Sequence, residues 1–421
     1  VNQASGLYSR SQQVLIAGAG YAGLPCALRL ASLARRKGLE GKLRIALVNP
    51  EPRQELTCEL YRTLRSGQNA FFPFVKMARR LGIQFVEGRV AGIEPGAGKL
   101  RVRGEGHGEW SYDHLVIACG RKTAPPEIEG LKELLESESA FEKRVFSFRN
   151  NAQVLALRLA LQRLGWAKDA TFRKDVFVVV LGAGSTGLEV AAEIAALRGR
   201  YRAARVILLD EKKSLLEGFS PIAQKMLKKD LKRMNIETVL GSKAVGMNGT
   251  EIRLENGQEI PWDLLVLCTG SRPSNTFTSP FPEAAADGGL LSSQRFEVNG
   301  HNNHWVVGDL ARLPLKTQPF ANAAYLPRNA QFAVQSGLYL AEHLARALGA
   351  KLPAQHEDFS PSDLGYLVSL GPNNGYARLG PQATTRLGRV ISPFASGPIV
   401  DQLKKAARVR YLLRLRTAQY F

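Results

Sequence analysis

The sequence predicts an α/β fold of two parallel-strand units, the second inserted in the first, with a C-terminal α/β segment after them. Three observations support this. Val14 to Gly23 reads VLIAGAGYAG and Val178 to Gly187 reads VVVLGAGSTG, each an apolar strand breaking through G-x-G-x-x-G into an Ala/Leu-rich helix. Both halves then repeat the order of second strand, meander and small-residue strand exit, ACG at Ala118 to Gly120 and CTG at Cys268 to Gly270. A late WVVGDLAR, Trp305 to Arg312, returns the chain to the first unit.

The two turns are dinucleotide cradles in their proper setting, so the units are Rossmann-like dinucleotide-binding domains. Gly18 and Gly182 permit the tight turn, Gly20 and Gly184 let backbone approach a diphosphate, and Gly23 and Gly187, preceded by Ala22 and Thr186, let the helix lie close on its strand. The helix start then turns its free N–H groups and positive dipole end toward the phosphates. After a helix of Ala22 to Lys37, the second strand, Leu43 to Val48, should end in a carboxylate for the adenosine ribose. Asn49 stands there instead. Its amide oxygen accepts without charge, and Glu51, two residues on, is the substitute weighed.

Gly82 to Trp110 reads as short strands with Gly-rich turns, and Leu115 to Ala118 as the strand leading to Cys119 and Gly120. In the second unit Arg205 to Leu209 ends in Asp210 at the ribose-binding offset, which favours NADH, while Lys212 and Lys213 keep NADPH open. Leu264 to Cys268 leads to Thr269 and Gly270. An apolar strand ending in Gly308 and Asp309 would bring a carboxylate to a flavin's ribityl chain, an ordinary strand-to-turn Asp being the other reading.

Composition bounds the rest. A hydrophobic share of 45% is that of a globular chain. Val176 to Leu188, the longest uncharged apolar run, is too short to span a bilayer, and the first residues carry no secretory apolar stretch, so no signal peptide is expected. Four scattered cysteines, Cys26, Cys58, Cys119 and Cys268, lack CxxC spacing; a reduced, cytoplasmic chain without a metal site is expected. The formal charge of +20 attracts anionic cofactors, lipid or nucleic acid. Basic residues thicken near the end, at Arg386, Arg389, Lys404, Lys405, Arg408, Arg410, Arg414 and Arg416, opposed only by Asp401.

The sequence from about Gln13 to Gly380 resembles the two-dinucleotide-domain flavoproteins, and within them the type II NADH dehydrogenases, the single-subunit NAD(P)H:quinone oxidoreductases. LPRNAQFAVQSG, Leu326 to Gly337, looks like that family's AQxxxQ segment; ELYRTLRSG (Glu59 to Gly67), GSTGLEVAAEI (Gly184 to Ile194) and LGYLVSLG (Leu364 to Gly371) are similar to further family segments. The resemblance implies FAD and NADH, with NADPH as an alternative, and a quinone acceptor. It places Ala330 and Gln331 beside the flavin, Gln331 and Gln335 at the quinone pocket, and Glu189 where nicotinamide meets flavin. Residues 1–150 and 296–355 form the FAD-binding domain on this reading, 151–295 the NAD(P)H-binding domain, and 356–421 the C-terminal segment. A helix-surface pairing with a nearby base is the competing reading for both Glu189 and Glu193, one turn on.

The C-terminal segment departs most from the family, whose closing helices are rich in Trp; here no Trp follows Trp305. Ile399, Val400, Leu403, Ala406 and Ala407 share one helical face and Lys404, Lys405 and Arg408 another, so the helix is expected to lie on an anionic membrane surface, on the cytoplasmic face. The competing occupant is its own domain or the partner of a homodimer. Two other functions compete with quinone reduction: a peroxidase or disulfide reductase using Cys58, and a flavin-bearing sensor that binds nucleic acid. No CxxxxC pair supports the first and no nucleic-acid motif the second, so no nucleic-acid partner is expected.

Overall fold

In a computed structural model, residues 11–137, 143–165, 176–197, 204–216, 219–278, 280–281, 283–315, 324–353, 358–380, 383–384, 390–391 and 394–417 are described. Arg386 and Arg389 lie outside them.

Two five-stranded parallel sheets carry the architecture. In the first, the fingerprint strand Gln12–Ala17 lies at the centre, between Leu43–Asn49 and His114–Ile117; Ile83–Glu87 and His304–Val306 close the edges. In the second, Val176–Leu181 is central between Ala204–Asp210 and Leu264–Leu267, with Ile236–Leu240 and Val145–Ser147 at the edges. The apolar runs VLIA and VVVL are buried throughout, as strands covered on both faces must be. Trp305 and its neighbours add the fifth strand to the first sheet after the whole second unit has been made, which shows the insertion directly.

Each sheet has an antiparallel three-stranded meander inserted before its exit strand, Arg89–Glu94, Lys99–Arg103 and Gly108–Ser111 in the first unit and Ala244–Met247, Glu251–Leu254 and Glu259–Pro261 in the second. The two exits meet: Lys122–Thr123 pairs antiparallel with Ser271–Arg272, tying the units at the strand ends where ligands bind in open α/β sheets. The fingerprint helix Gly23–Arg36 is crossed by Ala330–Ala347, whose Gly337 allows the approach; a Cβ there would lie 2.1 Å from the Ala22 carbonyl oxygen. Arg29 and Glu342 join the same two helices at 2.6 Å.

The C-terminal segment is a small antiparallel sheet, Gly365–Ser369, Gly375–Leu379 and Phe394–Ser396, followed by the helix Pro398–Thr417. The expected helix forms, but its charged face turns the other way. Lys404 pairs with Glu189 and Arg408 with Glu59, both inward, while Ile399, Val409 and Leu413 are exposed. Of the expected apolar face only Val400 is buried; Ile399, Ala406 and Ala407 face solvent and Leu403 is half-buried. Carboxylates held in the body of the protein need cations more than it needs further apolar cover, so the helix rotates to supply them. The helix is thus packed on its own chain on one side, with an apolar stripe left outside.

Candidate functional site

Backbone geometry makes the two cradles near copies. Gly18 and Gly182 have φ of +103° and +107°. A Cβ at Gly18 would meet the Ala118 carbonyl oxygen at 2.6 Å, and one at Gly182 the Thr269 Cγ2 at 2.9 Å, so each first glycine lets the exit strand of its unit close on the turn. Gly23 and Gly187 are sealed by the carbonyls of Gly18 and Gly182, 1.9 and 1.7 Å from the Cβ positions. Gly20 and Gly184 have nothing within 4 Å of theirs. Space is therefore open at the one glycine of each turn where a diphosphate belongs, ahead of a helix N-terminus, and a dinucleotide fits both cradles.

The residues ending the second strands also match. Asn49 Oδ1 accepts from the Ala19 amide at 2.9 Å, and Asp210 Oδ2 accepts from the Ala183 amide at 2.5 Å, each pinning the residue between the first two glycines. Asn49 Nδ2 donates to the Glu51 carbonyl oxygen at 2.8 Å, and Asp210 Oδ1 accepts from the Lys212 amide at 2.8 Å. Asn49 thus keeps the structural half of an acid's role without its charge. The Glu51 carboxylate turns to Arg53, 2.7 Å away on the surface.

The exits bend at Gly120 and Gly270 with φ of +60° and +58°, Cys119 Sγ donates to the Ala17 carbonyl oxygen at 3.2 Å, and Thr269 Oγ1 is buried without a hydrogen-bond partner among the described residues. Thr186 is half-buried in the first turn of the second fingerprint helix, Ser185–Leu197. The Gly308 amide donates to Ser336 Oγ at 3.2 Å, and a Cβ at Gly308 would sit 3.0 Å from that of Ala22, so the Gly-Asp segment lies against the start of the first fingerprint helix. Burial raises the pKa of Asp309 against the pull of Arg149, Arg328 and Arg121.

Between the cradles, side chains far apart in sequence come together. Glu189, from the second fingerprint helix, accepts from the Ser369 amide at 3.0 Å and pairs with Lys404, whose Nζ lies 3.9 Å from the centroid of the Tyr61 ring. Burial, then Glu59 and Glu189, raises the pKa of Tyr61. Tyr21, from the first turn itself, packs on Tyr411 with ring centroids 5.2 Å apart, and the Tyr411 hydroxyl donates to Gln54 Oε1 at 2.9 Å. Burial raises the pKa of Tyr21, with Cys58 and Tyr411 adding to it. Tyr366 bonds to Ser185 across from them, and its pKa too is raised by burial.

Cys58 carries exposed surface, and desolvation by the surrounding protein pushes its thiol up to about 11. It is a neutral thiol at pH 7, whereas nucleophilic cysteines need a depressed pKa. Glu193, wholly buried, takes a two-pronged bond from Arg65, with Nε donating to Oε2 at 2.8 Å.

Gln331 and Gln335 project from one face of Ala330–Ala347, as their spacing requires. Gln331 Oε1 accepts from the Leu364 amide at 3.0 Å and its Nε2 donates to the Gly365 carbonyl oxygen at 3.1 Å; Gln335 exchanges two bonds with the Ser362 backbone at 2.8 and 2.9 Å. Both amides therefore hold the segment leading into the C-terminal sheet. Sequence reasoning missed Lys404, which reaches Glu189 across 215 positions, and Tyr21, whose place inside the fingerprint was its only signal.

Comparison with known proteins agrees with this geometry. The chain is 25% identical over 86% of its length to a type II NADH:quinone oxidoreductase of Staphylococcus haemolyticus, covering 89% of it. It is 23% identical over 73% of its length to ferroptosis suppressor protein 1 of Taeniopygia guttata, covering 74% of that protein. The fold is that of NDH2 from Plasmodium falciparum in complex with NADH, with a TM-score of 0.77 at 15% identity, covering 97% of this chain and 96% of that one. A family model described as pyridine nucleotide-disulphide oxidoreductase matches residues 12–337. With both cradles, the inserted second unit and the Gly-Asp return in place, the chain belongs to the pyridine nucleotide-disulphide oxidoreductase family, as a type II NADH dehydrogenase-like NAD(P)H oxidoreductase.

Proposed function

We propose that the chain is an FAD-dependent NADH:quinone oxidoreductase that reduces a membrane quinone by two electrons without pumping protons. The observation that carries this reading is the Glu189–Lys404 pair, which brings the second fingerprint helix and the terminal helix together beside Tyr61. FAD, when bound, supplies the two-electron relay between nicotinamide and acceptor. Gly18, Gly20, Gly23, Cys119, Gly120, Asp309 and Ala330 would hold it; Gly182, Gly184, Gly187, Asp210, Thr269 and Gly270 would hold NADH.

Glu189 orients the nicotinamide. Quinone reduction also takes up protons, which an amide cannot give at neutral pH. Lys404, with side-chain exposure of only 11%, is assigned as the proton donor beside Glu189, and Gln331 and Gln335 position the segment that leads to the strand whose Ser369 amide holds Glu189. The outward stripe of Ile399, Val409 and Leu413, flanked by Lys405, Arg410 and Arg416, would rest on anionic lipid, bringing the site to its substrate. No helix among the described residues is long and apolar enough to cross a membrane. Cys58 has no part in the chemistry.

Anaerobic flavin reduction by NADH, followed by mixing with ubiquinone and menaquinone analogues, tests the proposal: one class should reoxidise the flavin, and failure of both would refute it. In Lys404→Met, reoxidation by quinone should slow by about 100-fold while reduction by NADH stays fast. Equal slowing of both steps would leave Lys404 a purely positioning role. Asp210→Ala should relax the preference for NADH over NADPH by at least about tenfold, since the acid repels the extra phosphate; the ratio of kcat/KM values reads this. Leu413→Glu should abolish cosedimentation with phosphatidylglycerol vesicles without changing turnover on a water-soluble quinone. An unchanged pellet would exclude this stripe as the docking face.

A further inference from the structure

Away from the Glu189–Lys404 pair, a second concentration of charge lies where the two exit strands meet. Arg121 follows the first exit, and its side chain is 3% exposed. Its Nη2 donates to the Ser271 and Asp287 carbonyl oxygens at 2.6 and 2.9 Å, while Nη1, 4.0 Å from Asp287 Oδ1, has no hydrogen-bond partner among the described residues. Arg328 pairs with Asp287, and Arg312 Nε approaches the same carboxylate at 3.4 Å; Nε of Arg328 is also without a hydrogen-bond partner among the described residues. Against the burial that raises the pKa of Asp309, the charges of Arg121 and Arg328 pull it down, while Arg121 follows Gly120 and Ala118, whose carbonyl abuts Gly18 of the first cradle.

Three guanidinium groups, Arg121, Arg312 and Arg328, thus share Asp287, with Asp309 as the second carboxylate. One positive charge is left over beside the buried Arg121, and an anion would balance it. Asp309 follows Gly308, which lies against Ala22 at the start of the first fingerprint helix, next to the open space at Gly20. A dinucleotide's diphosphate carries two negative charges, and guanidinium groups bind phosphate by paired N–H donors. Asn49 removes the charged ribose contact from this same cradle.

We propose that Arg121 and Arg328 clamp the diphosphate of FAD, adding a charged grip to the cradle in which Asn49 brings none. The inference rests on the flavin reading above.

Apoprotein of Arg121→Gln and of Arg328→Gln, each checked for an unchanged thermal midpoint, is titrated with FAD and with riboflavin, which lacks phosphate. FAD should bind at least about tenfold more weakly in each variant, with riboflavin affinity, the flavin midpoint potential and the KM for NADH unchanged. Arg121→Lys and Arg328→Lys, which keep the charge and lose the fork, should fall between; they carry the test if a glutamine variant fails to fold. Equal weakening of FAD and riboflavin, unchanged FAD affinity, or a shift confined to the potential or to the KM for NADH would overturn the clamp. Wild-type apoprotein that binds neither flavin would instead refute the flavin reading itself.

Discussion

Gly184→Val is expected to keep its fold and its flavin and to lose NADH. Nothing lies within 4 Å of the Cβ position, and Gly184 is not among the glycines with positive φ, so the side chain enters open space without strain. That space is where the diphosphate of the pyridine nucleotide must approach the turn. The KM for NADH should rise by about 100-fold, as for ligands displaced by an ångström, with the thermal midpoint and dithionite reduction of the flavin unchanged. Gly187→Val provides the contrast. Its Cβ would sit 1.7 Å from the Gly182 carbonyl oxygen, so helix and strand must separate and the protein should lose stability as well as NADH.

Arg65→Met should produce the largest loss of stability among variants outside the cradles. Glu193 is wholly buried and Arg65 is its ion-pair partner, through two bonds. Removing the cation leaves a carboxyl with no compensating charge, a loss of about 3 kcal/mol that the 30% exposure of the Arg65 side chain reduces to about 2. The sign of the pH dependence follows from burial, which already raises the pKa of Glu193 against the pull of Arg65. A carboxyl whose folded pKa lies above its unfolded value stabilises the fold most when protonated, and that stability is lost as pH rises through the folded pKa. The variant should therefore be closest to wild type in mild acid and fall further behind toward neutral pH, as thermal midpoints across that range would show. A constant deficit at every pH would mean that Glu193 stays ionised without its partner.

Both predictions depend on features of unequal visibility in the sequence. The cradles were legible because their requirements are local: a strand, three glycines at fixed spacing and a helix follow from neighbouring residues, and the repeated exits at Cys119 and Thr269 confirm the pairing. The return of the chain at Asp309 was legible for the same reason, since only an inserted unit places a Gly-Asp strand so late. Asn49 could be located but not interpreted. Its bonds to Ala19 and Glu51 show how an amide keeps the turn in shape, and the sequence shows only that a charge is missing.

The terminal helix was visible as an amphipathic pattern, yet its orientation was set by Glu59 and Glu189, far away in the chain, and came out reversed. The Arg121–Arg328–Asp287 cluster was invisible because its three members are contributed by three separate loops. Gln331 and Gln335 form a pair in the sequence, as in the structure, but nothing local says that both amides hold residues 362–365.

The central claim is that one polypeptide builds two nucleotide cradles that hold a flavin within hydride reach of a pyridine ring. The absorbance spectrum of the reconstituted chain, recorded without oxygen before and after one equivalent of NADH, tests it most directly. One flavin per chain, yellow at first and bleached by the addition, is the expected result. A chain that stays colourless after reconstitution, or a yellow one that NADH leaves unbleached, would contradict the account.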